Sequence, residues 1–321
     1  MSPFTRIPAE AAAALGEKRL IVEIKRWLGK TSPPAPFGIG DDCAVVPSSG
    51  RAMLITTDPV IYGLHFDDSV PARAVGAKLL KRNLSDIAAM GGRPVAAVVS
   101  LALAANTSVA WLHEFYLGLA ATARKYKVSI VGGDITQSPT GFLGAFLTLH
   151  GEAAGKRIIS RSGAMPGDRI YVTGTLGGSL LGGHYRFTPR LVEGTWLAQR
   201  QEVCAMMDVS DGLAKDLHSL TPAGLTPAMR ESAVPISAAA RRCAMQTKQT
   251  PLFHALGDGE DYELLIVVCY RADCTKFEQA WQRRFPRLRL TQLGTFVRRD
   301  QLPEGAIQLA NFSGYEHLKL D

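Results

Sequence analysis

The chain has 321 residues, 46% hydrophobic and 20% charged, with a formal net charge of +7. That length suits two domains and a substantial core. The composition excludes disordered, collagen-like and disulfide-scaffold classes. The basic residues come in two-residue clusters such as Arg283-Arg284 and Arg298-Arg299, too diffuse to mark a nucleic-acid surface. Five cysteines form no CxxC pair, which points to a reducing compartment. No apolar run reaches the ~20 residues of a membrane helix, and no secretory h-region opens the chain. The expected location is the cytoplasm.

In chain order, Glu17 to Leu28 reads as an amphipathic helix, followed by the proline-rich turn Ser32–Pro36. Short β-like runs follow at Cys43–Val46, Ala52–Thr56 and Val60–Phe66. A long helical pattern covers Ala72–Met90 and is closed by Gly91-Gly92 and Pro94. Val95–Ala104 reads as a buried strand, Ser108–Tyr126 as a helix, and Val128–Val131 and Phe142–Gly151 as strands. This alternation predicts a mixed α/β domain. Ala153–Gly167, rich in small and polar residues, reads as an interdomain connection. Beyond it, the strand Arg169–Thr173 enters a glycine-rich turn, Gly174–Gly178, with further strands at Ala205–Val209 and Leu264–Cys269. The turn suits either a phosphate loop or a plain corner.

The informative feature is aspartate beside glycine or a small hydroxyl, repeated five times. The settings are Gly38–Asp42, Thr56-Thr57-Asp58, Asn83–Asp86, Gly132-Gly133-Asp134 and Asp208–Gly212. Each is expected where an element stops and the backbone turns. One such motif alone is a turn or a helix cap. Seven converging carboxylates would repel one another without cations, and Mg²⁺ clamping a polyphosphate supplies the reason for them. There is no Walker A sequence and no kinase-type His-Arg-Asp. Phosphoryl transfer here would therefore rely on metals rather than on a P-loop lysine.

With Gly63-Leu64-His65-Phe66, Arg161-Ser162-Gly163, Tyr171–Gly174, Gly259-Glu260-Asp261-Tyr262-Glu263-Leu264 and Gly314–His317 added in this order, the chain resembles the thiamine-monophosphate kinase family. That family shares a superfamily with aminoimidazole ribonucleotide synthetase and selenophosphate synthetase. The resemblance implies two α/β domains, residues 1–152 and 153–321, the first binding ATP and forming a homodimer through its sheet. It implies Mg²⁺ ligands at Asp42, Thr56, Thr57, Asp58, Asp86, Asp134, Asp208 and Asp211. ATP contacts are implied at Tyr116, Gly133, Asp134, Arg161 and Ser210, and thiamine-monophosphate contacts at His65, Glu260 and Phe312.

The implied reaction is ATP-dependent phosphorylation of thiamine monophosphate to thiamine diphosphate, with no covalent intermediate. Pro59, Tyr62, Lys81-Arg82 and Asp258 depart from the family's usual residues, which before Asn83 are small and apolar. The alternatives are another ATP-dependent reaction on this scaffold and a non-catalytic nucleotide-binding protein. Residues 1–37 lack the cysteine of a selenophosphate synthetase, and no aspartate motif is lost. Read singly, Asp261 is an acidic helix start and Cys43 a buried filler.

Overall fold

The computed structural model describes residues 22, 34, 36, 40–41, 44–47, 51–104, 106–139 and 142–316. Asp42, Cys43 and, apart from Val22, the expected helix at Glu17–Leu28 lie outside the described residues.

The first sheet is built from β1 (Ala44–Pro47), β2 (Ala52–Ile61), β3 (Gly92–Leu103), β4 (Ser129–Gln137) and β5 (Leu143–Ala153), in the order β1-β2-β5-β3-β4. Only β3 and β4 run parallel; the other neighbours are antiparallel. The helices α1 (Ala72–Ala89) and α2 (Val109–Tyr126) separate β2 from β3 and β3 from β4. They pack on each other through reciprocal glycines: a Cβ on Gly76 would overlap the carbonyl of Phe115, and one on Gly118 the carbonyl of Arg73. Ser108 caps α2 by accepting from the Trp111 N–H.

The second sheet, fully antiparallel, has the order β7-β9-β6-β10-β8. Its strands are β6 (Arg169–Thr173), β7 (Val203–Asp208), β8 (Leu225–Met229), β9 (Leu264–Val268) and β10 (Leu290–Arg298). Its helices are α3 (Gly183–Arg186), α4 (Leu191–Ala198), α5 (Leu213–Leu220), α6 (Ala238–Thr247), α7 (Pro251–Gly257) and α8 (Cys274–Arg284). Each sheet stays on one side of residue 153, but the core does not. One apolar cluster joins Leu54, Leu84 and Leu147 to Tyr171, Leu264 and Trp281, with α1 buried between the halves. A Cβ on Gly194 of α4 would overlap the Ala88 carbonyl of α1, so the two helices meet without a side chain between them.

Two local expectations change. β2 runs unbroken through Pro59 to Ile61. Among the described residues β1 pairs with it only up to Ile55, so Pro59 lies where one side of β2 carries no ladder. The aspartates also do not all sit at turns. Asp58 is inside β2, Asp86 inside α1, and Asp134 inside β4, which continues through Gly132-Gly133 to Gln137. Glycine at 133 is required because a Cβ there would overlap the Val99 carbonyl of β3.

Candidate active site

A cleft of about 410 Å³ opens between the two halves. One wall is α1, which lines the cleft with Arg82 and Asp86 and carries the buried Lys78 and Ser85 on the same face at helical spacing. Each side chain ties a different partner. Lys78 Nζ donates to the His65 carbonyl (2.8 Å) and reaches both Glu260 oxygens (2.8 and 2.9 Å). Arg82 donates to the Pro59 carbonyl (2.7 Å) and to Asp58 (3.2 Å). Ser85 donates to Asp208 (2.5 Å), and Asp86 accepts from the Thr56 hydroxyl. Burial pulls the Lys78 ammonium below the ordinary lysine pKa, and Glu260 works against that shift.

β2 alternates its side chains across the sheet. Thr56 faces α1, whereas Thr57 lies on the opposite face, where its hydroxyl donates to the Leu147 carbonyl (3.1 Å) and accepts from Thr148 (3.2 Å). The third wall is the turn after β7. There the Ser210 and Asp211 amides both donate to Asp216 of α5 (2.9 Å each). Burial, then the charges of Asp211 and Asp208, push the Asp216 carboxyl well above its usual range. Lys215 lies 2.8 Å from Asp211 and donates to the Tyr315 carbonyl.

At the other end stand His65 and the segment 258–263. His65 Nδ1 accepts from the Ile61 amide (3.1 Å), which leaves Nε2 as the protonated nitrogen of a neutral ring. Glu260 and Tyr262 adopt left-handed backbone angles (φ 53° and 52°). Tyr262 is buried, stacks on Phe187 at 3.9 Å between ring centroids, and donates to Glu260 (3.1 Å). Asp261 starts no helix. Its carboxylate accepts from the Gly177 amide, and Asp258 accepts from Gly178. These bonds occupy amides that a phosphate loop would present, so Gly174–Gly178 is a structural corner. Asp258 is itself held by His254 (2.8 Å), whose second ring nitrogen meets Thr247 (2.8 Å).

Ten of the expected site residues line this one cleft: Thr56, Thr57, Asp58, His65, Asp86, Arg161, Asp208, Ser210, Asp211 and Glu260. Arg161 is braced by Asp41, which accepts from its amide at 3.1 Å and lies 3.6 Å from its Nε. Four others lie elsewhere. Tyr116 is on α2, 40% exposed, with its ring edge-on to Phe115. Gly133 and Asp134 are exposed on β4. The register puts Asp134 beside Ser100 and Phe146, on the sheet face that carries Thr57. Phe312 packs against the C-terminal core and borders a separate hollow with Lys215 and His218. Sequence reasoning missed Lys78, Ser85, Lys215, Asp216 and Tyr262. For Lys78, Ser85, Lys215 and Asp216 the available signal was their spacing from Asp86 and Asp211 in and around helices, and for Tyr262 its place two residues after Glu260.

Among the described lining residues, Asp58, Asp86, Asp208 and Asp211 offer carboxylate oxygens and Thr56 and Ser210 hydroxyls, and none offers sulfur. That is the hard-oxygen chemistry Mg²⁺ prefers, so Asp58, Asp86, Asp208 and Asp211 fit such an ion.

The family model described as AIR synthase related protein, N-terminal domain, matches residues 40–153. That match assigns residues 40–153, which carry the first sheet and Asp58 and Asp86 of the cleft, to the AIR synthase related class. The chain is 39% identical over 246 residues to the thiamine-monophosphate kinase of Rhodopirellula baltica, covering 74% of this chain and 77% of that one. With the Aquifex aeolicus thiamine-monophosphate kinase it shares 32% identity over 302 residues, covering 87% and 91%. The solved structure of AaThiL complexed with AMPPCP and TMP superposes with a TM-score of 0.79 at 29% identity, over 98% of this chain and 100% of that one. The chain belongs to the thiamine-monophosphate kinase family.

Proposed function

We propose that this cleft phosphorylates thiamine monophosphate with ATP, giving thiamine diphosphate and ADP. The observation that carries the reading is the convergence of Asp58 and Asp86 from one half with Asp208 and Asp211 from the other on a single cleft. The AMPPCP and TMP held by the AaThiL structure support it. Asp58, Asp86, Asp208 and Asp211, with Thr56 and Thr57, would hold Mg²⁺, and Asp42 and Asp134 complete the proposed set. Bound there, Mg²⁺ supplies charge neutralisation of the polyphosphate.

The chain's own residues do the rest. Arg161 and Ser210 contact the nucleotide, joined by Gly133 and Tyr116. His65 Nε2–H and Glu260 orient the acceptor and Tyr262 walls off water, whereas Phe312 would reach the acceptor ring only by leaving the separate hollow it borders. The acceptor's phosphate is already anionic, so no side-chain base is needed to activate it. One of its oxygens bonds to the γ-phosphorus as the bond to the β,γ-bridging oxygen breaks, and ADP leaves with that electron pair.

Division into 1–152 and 153–321 and a homodimer belong to the same reading. All nine residues of β4 are exposed, and Val98 and Phe146 are bare on the sheet face that carries Asp134. A second copy would cover that face and bring a partner against Asp134. Among the described residues, no helix is long and apolar enough to cross a membrane.

Purified protein incubated with ATP, Mg²⁺ and thiamine monophosphate tests the reaction by chromatography. Thiamine diphosphate should form with Mg²⁺ and disappear with EDTA; ADP without thiamine diphosphate would contradict the reading.

A further inference from the structure

We infer that Arg82 binds the phosphate of the acceptor, an assignment that rests on the reaction proposed above. Three observations converge on it. Its position is the first: Arg82 lines the cleft from α1 and contacts Asp58 on the proposed metal side. Asp58, Asp86, Glu260 and Tyr262 line the same cleft as Arg82. These four residues belong to both ends of the site, so Arg82 sits between the group that would hold ATP and the group that would hold the acceptor ring. An acceptor phosphate has to lie there.

The second observation is its bonding. Among the described residues, two of the five N–H groups of the guanidinium reach protein, at Pro59 and Asp58, and Nε is buried without a hydrogen-bond partner. The side chain is only 12% exposed, so it is held in place with donors to spare, and its planar fork matches phosphate oxygens. The third is the choice among cations. Lys78 is fully buried and committed to Glu260 and the His65 carbonyl. Arg161 lies with Asp41. A phosphate approaching Asp58, Asp86 and Glu260 meets repulsion, and Arg82 is the cation placed to offset it.

The test compares thiamine monophosphate with thiamine, which lacks the phosphate, by calorimetric titration in the presence of Mg²⁺ and the non-hydrolysable AMPPCP. The wild type should prefer thiamine monophosphate. Arg82→Gln should shrink that preference by about tenfold or more, the scale of one charge-assisted contact, while thiamine and AMPPCP bind as before. Arg82→Lys keeps the charge without the fork and should lose part of the preference; it also serves if circular dichroism shows Arg82→Gln unfolded. An unchanged preference in a folded variant, or equal losses for both thiamine ligands, would overturn the assignment alone. Failure of the wild type to bind thiamine monophosphate would overturn the assignment and the proposed reaction together.

Discussion

Lys78 has no exposed side-chain surface, and its ammonium lies 2.8 Å from Glu260, 182 residues further along the chain. The pair joins the first helix to the loop that begins β9, and the same ammonium fixes the His65 carbonyl. Two of the proposed acceptor contacts, His65 and Glu260, therefore hang on one buried lysine. Removing one member of a buried pair leaves the other charge uncompensated, typically at about 3–5 kcal/mol. Lys78→Met should lower stability on that scale, discounted because Glu260 keeps some exposure. Combined with Glu260→Gln, it should destabilise less than the two single changes added together. Urea unfolding of the four proteins gives the coupling, and strict additivity would show that the pair does not hold the site.

The acidic centre makes a second prediction. Asp86→Asn and Asp208→Asn keep acceptor oxygens for Thr56 and Ser85 but remove a charge each. Turnover should fall at least about a hundredfold, the scale of losing one centre of transition-state charge stabilisation, with circular dichroism unchanged. Wild-type turnover at saturating Mg²⁺ in both variants would remove these residues from the metal set.

Gly76 tests how α1 is held. Its Cα sits against the Phe115 carbonyl with no room for a methyl group. Gly76→Ala should destabilise the chain by about 1–3 kcal/mol through overpacking, despite alanine's better helix propensity. A stabilised Gly76→Ala, read by denaturant midpoint, would mean α1 and α2 do not meet as described.

Lys81 carries a pH prediction. Burial, then the charge of Lys125, lowers its pKa from 10.5 to about 8, while its ammonium still donates to the Tyr185 carbonyl and lies over the Phe187 ring. Below pH 8 both folded and unfolded states carry the charge, and the folded state bears the burial cost in full. Between about 8 and 10.5 the folded protein has lost a proton that the unfolded chain keeps, so wild-type stability gains with rising pH. The difference in melting temperature between Lys81→Met and wild type should therefore shift in favour of wild type from pH 7 to pH 10. A difference constant over that range would contradict the burial of this ammonium.

What was legible in the sequence was mostly local. The expected helix at Ala72–Met90 matches α1 at Ala72–Ala89 because Pro71 and Gly91 bracket it, and Arg169–Thr173 matches β6. The expected break at Pro59 and the expected stop at Gly132-Gly133 failed for one reason. Proline and glycine mark turns only when no neighbouring strand fixes the backbone, and strand register is set by residues far away in sequence. The aspartate motifs were legible as a set because charge and spacing recur in the chain. Lys78 was not: on a helix rich in apolar residues it reads as a solvated position until Glu260 arrives from the other half. The antiparallel order of the second sheet was likewise beyond periodicity, which reports strands but not their partners.

The most direct measurement follows the γ-phosphate. The protein, Mg²⁺ and ATP labelled with ³²P at the γ position are mixed with thiamine monophosphate under single-turnover conditions and quenched. The label should appear in the terminal phosphate of thiamine diphosphate at the rate of ADP formation, with none on the protein. Label retained on the protein, or released as free phosphate while thiamine monophosphate is left unchanged, would contradict direct transfer in the cleft formed by Asp58, Asp86, Asp208 and Asp211.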